Sequence, residues 1–278
     1  MPQDAQIQGL ALGKFDGMHL AHRALITHLP PQSTLLCIES KGETLTPNKA
    51  LYSPYPVISV CFEEIMGWSG AYFMEIINDK FPSLVQLVVG YDFAFGKNRA
   101  YGVNELIEFF GKKVLVMPEF RVNGVSVHSS LIKASIRAGD MQKAAKMLGR
   151  FYYIEGGIIP GQNLGSKVLY ATINIRAQDY VLPQNGVYAT FTQLGEELLP
   201  SVSFIGNRLS TDNAFSIETH ILEREIHILP NDRAGIFFVQ KIRDNQQFLN
   251  LQCLKEAITQ DVQEAGEILH NADKNLAL

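Results

Sequence analysis

Ala11-Leu-Gly-Lys-Phe-Asp-Gly-Met-His-Leu-Ala-His22 is the stretch whose reading decides the fold of the first half of the chain. Just before it, Ile7 to Leu12 is apolar and has strand character. Just after it, Leu25, Ile26 and Leu29 recur at helical spacing within Arg23 to Leu29. Gly13, Gly17, His19 and His22 lie between, so the pattern is a strand, a glycine-bearing turn and the first turn of a helix. Free N–H groups at a helix start, together with the helix dipole, form a phosphate site. Histidines at i and i+3 share a helix face, which lets His19 and His22 donate to one phosphate. The plainer alternative is a solvated helix start, because a short motif alone is weakly specific. A zinc site is disfavoured: only Asp16 stands near the histidines as a further ligand.

The rest of the first half repeats the alternation. Thr34–Ile38 and Val57–Phe62 are short strand candidates, separated by a loop containing Pro47, Pro54 and Pro56. Tyr72–Asn78 and Asn104–Phe110 have helical patterns, and Lys113–Met117 is a further strand. Leu84–Val89 is continuously apolar, as expected for a strand buried on both faces of a parallel sheet. Strands alternating with helices predict a doubly wound α/β domain, with ligands beyond the carboxyl ends of its strands. Both Gly13–His22 and Gly90–Gly96 follow strand ends.

Ser129–Leu148 is helical with a break at Gly139-Asp140, and Gly149 ends its second piece. From Tyr152 the texture changes. Tyr152–Ile159, Val168–Ile175, Gly186–Phe191, Ser201–Ile205, Phe215–Leu222 and Ile236–Ile242 are short β-type segments with turn residues between them. That spacing predicts a small antiparallel barrel, covered by a terminal helix over Gln252–Ile268. The expected domains are 1–149 and 150–278.

A chain of 278 residues fits two ordinary domains, and 46% hydrophobic with 19% charged residues is a globular composition. Net charge of −4 argues against a nucleic-acid partner held through its phosphates. No run of about 18 apolar residues predicts a membrane span, and Met-Pro-Gln-Asp does not open a signal peptide. Cys37, Cys61 and Cys253 are scattered, which suits a reducing cytoplasm, each as a small buried hydrophobe.

Two more segments carry chemistry. In Gly90-Tyr-Asp-Phe-Ala-Phe-Gly-Lys-Asn-Arg99, Phe93 and Phe95 offer flat apolar surface, Asp92 an acceptor, and Lys97 and Arg99 positive charge. The alternative is that both phenylalanines are core and both cations solvated. In Ser129-Ser130-Leu-Ile-Lys133, serine at a helix start is either an N-cap, worth about 1 kcal/mol, or a phosphate donor backed by Lys133.

Together these segments resemble the prokaryotic bifunctional riboflavin kinase/FMN adenylyltransferase (FAD synthetase) family. Gly13, Phe15, Asp16, Gly17, His19 and His22 match its Gly-x-Phe-Asp-Gly-x-His-x-Gly-His signature, with Ala21 in place of a glycine. Gly90–Arg99 resembles its Gly-x-Asp-Phe-x-Phe-Gly-x-x-Arg segment, and Ser129–Lys133 its Ser-Ser/Thr-x-Ile-Arg segment, with lysine for arginine. Lysine keeps the charge but loses bidentate phosphate contact. The family's Phe-x-Pro-His-Pro-like segment has no counterpart near Glu39–Gly42.

In the second half, Gly149–Gly156 and Ile159–Gly165 resemble the opening of the family's riboflavin kinase module. The family's Gly-Phe-Pro-Thr-Ala-Asn-Ile is replaced by Leu169-Tyr-Ala-Thr-Ile-Asn-Ile175, which keeps Thr172 and Asn174. Glu218 lies in a strand pattern beside His220, opposite Phe215, Ile217, Thr219 and Ile221. Arg243-Asp244 with Phe248 matches a further family segment, while Gly206–Thr211 lacks the proline that follows the family's arginine.

The resemblance implies an N-terminal nucleotidylyltransferase domain and a C-terminal riboflavin kinase barrel. It implies riboflavin, FMN and ATP as substrates, Mg²⁺ as metal, and FAD as final product. His19 and His22 are then catalytic in adenylylation. Gly13, Phe15, Asp16, Gly17, Ser129, Ser130 and Lys133 serve ATP and its phosphates. Asp92, Phe93, Phe95, Arg99 and Arg243 serve the flavin. In the barrel, Thr172 and Asn174 serve Mg²⁺–ATP, and Glu218 is the base for the ribityl hydroxyl. The eroded glycine and proline positions imply a slower kinase half. The alternatives are an adenylyltransferase with a weakened or inactive barrel, and a non-catalytic flavin-binding or regulatory protein.

Overall fold

The computed structural model describes residues 6–160, 170–210, 212–222 and 232–277. The chain divides into two compact units, residues 1–129 and 130–278.

The first unit runs β1 (Gly9–Gly13), α1 (Leu20–Ile26), β2 (Ser33–Glu39), β3 (Val57–Cys61), α2 (Phe62–Ile65), α3 (Gly70–Lys80), β4 (Gln86–Gly90), α4 (Val103–Phe110), β5 (Val114–Met117), β6 (Arg121–Val122) and β7 (Val125–Ser126). Strands β1 to β5 form one parallel sheet in the order β3-β2-β1-β4-β5. Residues alternate between its two faces. Leu10 and Leu12 of β1, Leu36 of β2 and Leu87 and Val89 of β4 pack with Phe73 and Ile77 of α3 and Leu106 of α4. Ala11, Leu35, Cys37 and Val88 pack on the other face with Leu25 and Ile26 of α1. Burial on both faces explains why these strands are continuously apolar.

Strand order reverses between β1 and β4, since successive elements run outward from β1 on one side and from β4 on the other. In doubly wound sheets the ligand crevice lies at that reversal, beyond the carboxyl ends. Gly13 ends β1 and Gly90 ends β4, so both glycine-bearing motifs open at the reversal.

The second unit opens with α5 (Ser129–Arg137), whose first residue belongs to the first unit, and α6 (Met141–Leu148). Asp140 caps α6 by accepting the Lys143 N–H at 3.0 Å, and Gly149 closes it in a left-handed conformation (φ +71°). Then follow β8 (Tyr152–Ile159), β9 (Ile173–Arg176), β10 (Gly186–Leu194), β11 (Glu197–Asn207), β12 (Phe215–Ile221), β13 (Arg233–Asp244) and α7 (Leu251–His270). The six strands close into an antiparallel barrel, β10-β11-β12-β9-β8-β13. Helix α7 lays Ala265 and Leu269 in one apolar cluster with Val187, Ala189 and Phe191 of β10.

The opposite face of β10 helps line the barrel interior. There Thr190 and Thr192 meet Ser201, Ser203 and Thr219, all fully buried, in hydroxyl hydrogen bonds of 2.7–2.9 Å. Such a network is stable in a low-dielectric interior only because its members satisfy one another. Two expectations need correction. Only Cys37 of the cysteines is buried; Cys61 and Cys253 are partly exposed. Strand β9 is confined to Ile173–Arg176, and the expected strand residues Val168 and Leu169 lie outside the described residues.

Candidate functional site

In the first unit the site is built on the loop between β1 and α1. Phe15 and Met18 have positive φ (+49° and +40°), as does Gly17 (+92°). Non-glycine residues in this region are uncommon and costly, and they persist where packing overdetermines them. Here the packing is visible: Phe15 and Met18 are fully buried in the α1-side core. Phe15 is therefore an anchor beneath the loop, and its ring is tilted against His22 at 5.1 Å between centroids.

Asp16 ties the loop to two other segments. Its carboxylate accepts from Thr44 Oγ1 at 2.5 Å and from the Leu45 N–H at 2.7 Å. Its carbonyl accepts from Ser129 Oγ at 2.6 Å. Ser129 thus serves as a link to the loop at the point where α5 begins.

His19 is the N-cap of α1, with Nδ1 accepting the His22 N–H at 3.4 Å. A neutral ring that accepts at Nδ1 carries its proton on Nε2. The two histidine rings stack at 3.6 Å, 16° from parallel. Burial holds the His22 pKa well below the usual histidine value; the neighbouring His19 and Lys49 lower it further. His22 is thus neutral at pH 7. Its Nδ1 is buried and makes no hydrogen bond.

Lys49 is the site residue that sequence reasoning missed. It is 4% exposed and pairs with Glu39 at 2.8 Å, at the carboxyl end of β2. Ser59 Oγ donates to the other Glu39 oxygen at 2.8 Å. A buried lysine is rare unless paired. Nothing in the sequence signals it, because it opens a single 3₁₀ turn, Lys49–Tyr52, which is too short to show periodicity.

The Gly90–Arg99 loop is held by backbone bonds from Phe95 to Tyr101 and from Lys97 N to the Trp68 carbonyl at 2.7 Å. Gly96 has φ +73°, and a Cβ there would stand 2.7 Å from the Gly70 nitrogen, so only glycine fits. Phe95 is buried in the α3/α4-side core. Phe93 is half-buried and stacks on it at 5.6 Å. Asp92, Lys97 and Arg99 are exposed. Of the two phenylalanines, only Phe93 leaves a face for a ligand.

In the second unit, Ser130 is exposed and Lys133 half-buried on α5. In the barrel, β12 pairs with β9 so that Glu218 stands opposite Asn174. Residues directly opposite in antiparallel strands project to the same side, so Asn174 and Glu218 share one face, and His220, two residues along β12, lies on it too; Thr172, just before β9, meets that face through Glu218. Ile173, Ile217 and Thr219 fill the other. Thr172 Oγ1 donates to Glu218 Oε2 at 3.5 Å, and Arg208 Nη1 donates to Glu218 Oε1 at 3.3 Å. Arg208 also grips Asp212 at 2.8 and 3.0 Å. Arg243 lies elsewhere: its guanidinium forks onto buried Asp261 at 2.7 and 2.8 Å, 5.4 Å from the Phe248 ring.

The donor set Thr172, Asn174 and Glu218 is all oxygen, which fits a hard cation such as Mg²⁺ brought in with nucleotide phosphates. Among the described residues no three His, Cys, Asp or Glu side chains gather as a metal cage.

The fold and sites define a class: a doubly wound α/β module with glycine-bearing loops at its strand-order reversal, followed in one chain by a closed barrel with an oxygen-rich outer face. Known proteins narrow this. Residues 148–269 match the riboflavin kinase family model, Flavokinase. The bifunctional riboflavin kinase/FMN adenylyltransferase of Pseudomonas fluorescens is 26% identical, over 91% of this chain and 90% of that one. Its Escherichia coli K12 counterpart is 26% identical over 96% and 93%, and that of Haemophilus influenzae 28% over 93% and 94%. A crystal structure titled macrolide-efflux protein, from Streptococcus pneumoniae, shares the fold with a TM-score of 0.83 at 17% identity, covering 98% of this chain and 96% of that one. Residues 148–269 thus match the riboflavin kinase family, and the chain resembles bifunctional riboflavin kinase/FMN adenylyltransferases over about nine-tenths of its length.

Proposed function

We propose that this chain makes FAD from riboflavin in two ATP-dependent steps: phosphorylation to FMN in residues 150–278, then adenylylation in residues 1–149. The observation that carries the reading is the pair of motifs opening at the carboxyl ends of β1 and β4, in a chain whose other half matches the riboflavin kinase family.

In the kinase step Glu218 takes the proton of the ribityl 5′-hydroxyl. That oxygen attacks the γ-phosphorus of ATP, and ADP leaves. Thr172 and Asn174 face the same nucleotide and would hold Mg²⁺, which would offset phosphate charge. In the second step an FMN phosphate oxygen attacks the α-phosphorus of a second ATP, and pyrophosphate leaves. No covalent enzyme intermediate is required, so the protein contributes positioning and fixed donors. His22 donates from Nε2 as a neutral ring, and His19 also from Nε2 while its Nδ1 caps α1. Gly13, Gly17 and the first N–H groups of α1 approach the phosphates. Lys133 supplies a cation, while Phe15, Asp16 and Ser129 act by shaping the loop. Asp92, Phe93 and Arg99 contribute to the flavin side, with Phe95 as the support for Phe93. In the kinase half, Arg243 serves the flavin side of the barrel together with Phe248, beside which it lies.

A kinase-dead barrel is not favoured. Thr172, Asn174 and Glu218 meet at one face, and this half is the one matched by the kinase family. The reading is tested by supplying purified protein with ATP and Mg²⁺ plus either riboflavin or FMN. FMN and then FAD should accumulate from riboflavin, and FAD from FMN; no FMN from riboflavin would remove the kinase assignment. No described helix is long and apolar enough to cross a membrane, and we place the enzyme in the cytoplasm, acting on small molecules without nucleic acid.

A further inference from the structure

The family resemblance leaves Ala171 where proline would stiffen the segment that presents Thr172 and Asn174. The structure contains a different constraint at the same place. His220 Nδ1 lies 2.8 Å from the Ala171 carbonyl oxygen. That oxygen can only accept, so Nδ1 carries the proton and donates. The Tyr170 ring meets the His220 ring edge-on at 5.0 Å between centroids. The Tyr170 hydroxyl is 3.1 Å from Thr259 Oγ1 on α7, and Thr259 donates to the Lys255 carbonyl at 2.9 Å within that helix. Helix α7, Tyr170, His220 and the Ala171 carbonyl therefore form a continuous strap.

The strap acts where regular pairing stops. The β9–β12 ladder pairs Ile173 with Thr219 and Asn174 with Glu218. Ala171 and Thr172 precede β9 and are exposed. Without the strap, Thr172 is held by its single 3.5 Å contact to Glu218, a weak hydrogen bond at that length. His220 is two residues from Glu218 on the same strand face, so it fixes Thr172 relative to the carboxylate.

We propose that His220 is a positioning residue for riboflavin phosphorylation: by donating to the Ala171 carbonyl, with Tyr170 and Thr259 bracing its ring, it holds Thr172 in register with Glu218 at the Mg²⁺–ATP site. This rests on the kinase reading above. His220 touches no reacting atom. It replaces the backbone restriction of a proline with a hydrogen bond and a ring contact.

The test uses the full chain with riboflavin, ATP and Mg²⁺, and compares wild type, His220→Ala and His220→Asn. Asparagine places an N–H donor near the position of Nδ1. His220→Ala should lower kcat/KM for ATP about tenfold, through a higher KM for ATP and a lower kcat, with the KM for riboflavin unmoved. His220→Asn should recover most of that loss. A purely structural role would reduce the amount of folded enzyme and leave both constants per active site unchanged; that result overturns the proposal. Hydrogen exchange supplies a readout independent of catalysis: amides of residues 170–174 should exchange faster in His220→Ala and not in His220→Asn. Wild-type protein that forms no FMN would refute the kinase reading, while the exchange comparison would still decide the strap. Equal exchange in all three proteins overturns it.

Discussion

Replacing Glu218 by glutamine keeps the side chain's size and removes its basicity. The carboxylate accepts from Arg208 at 3.3 Å and from Thr172 at 3.5 Å, in a site where Arg208 and Glu218 are each about 20% exposed. Glutamine still offers one carbonyl oxygen, so one of these contacts survives. Both are long, and Arg208 keeps its fork onto Asp212. Loss of a partly exposed ion pair of this kind costs about 1 kcal/mol or less. A chain of two ordinary domains tolerates that, so Glu218→Gln should melt within a few degrees of wild type. The chemical cost is different in scale. A positioned base contributes about 10²–10⁴-fold, so riboflavin turnover should fall at least about 10²-fold while FMN adenylylation is unchanged. The assay is separation of riboflavin, FMN and FAD by chromatography under saturating ATP. Wild-type FMN production by a folded Glu218→Gln protein would refute the reasoning and make Glu218 only Arg208's ion-pair partner.

Other predictions concern the first unit. His22→Ala should reduce FAD formation from FMN by about 10²–10³-fold, as loss of a fixed donor does, with riboflavin phosphorylation continuing in the same sample. His22 is protonated more readily unfolded than folded, because burial, then His19, then Lys49 lower its native pKa. Its contribution to stability is therefore complete above the ordinary histidine pKa and is lost as pH falls below it; His22→Gln should flatten that part of a melting-temperature-against-pH curve. Lys49→Met removes one of the positive charges acting on His22, so an NMR titration should find the His22 pKa moved upward, toward the usual value. Asp16→Ala strands the Thr44 hydroxyl and the Leu45 N–H that now donate to it, and should destabilise the first unit by about 1–3 kcal/mol. Asp16→Asn keeps an acceptor and should cost less.

The strands of the first unit were legible because a doubly buried strand must be continuously apolar, and β1, β2 and β4 are. The break in the helix at Gly139-Asp140 was legible because Asp140 is a cap. Other features were hidden for physical reasons. The hairpin of β6 and β7 turns on Asn123-Gly124, both at positive φ, a recognised turn pair; its strands of two residues are too short to show alternation. Strands β10, β11 and β13 run further than expected; in β10 the expected end at Phe191 stops short of Thr192, which points inward, because a hydroxyl residue on a buried face mimics the polar side of a strand. In the site, the histidine pair and both glycine loops were visible as spacing. The distinction between Phe93 and Phe95 was not, because alternating residues both fit a ligand surface until burial separates them. Lys49 and the tie from His220 to Ala171 depend on where short or irregular segments come to lie, which no local pattern encodes.

The central claim is that one chain carries both reactions on two separate sets of residues. The most direct measurement is a time course of riboflavin, FMN and FAD in wild type, His22→Ala and Glu218→Gln, each supplied with riboflavin, ATP and Mg²⁺. The account predicts FMN then FAD in wild type, FMN that accumulates without FAD in His22→Ala, and unconsumed riboflavin in Glu218→Gln that forms FAD once FMN is added. Loss of both activities in either folded variant, or FAD appearing undiminished in His22→Ala, would contradict it.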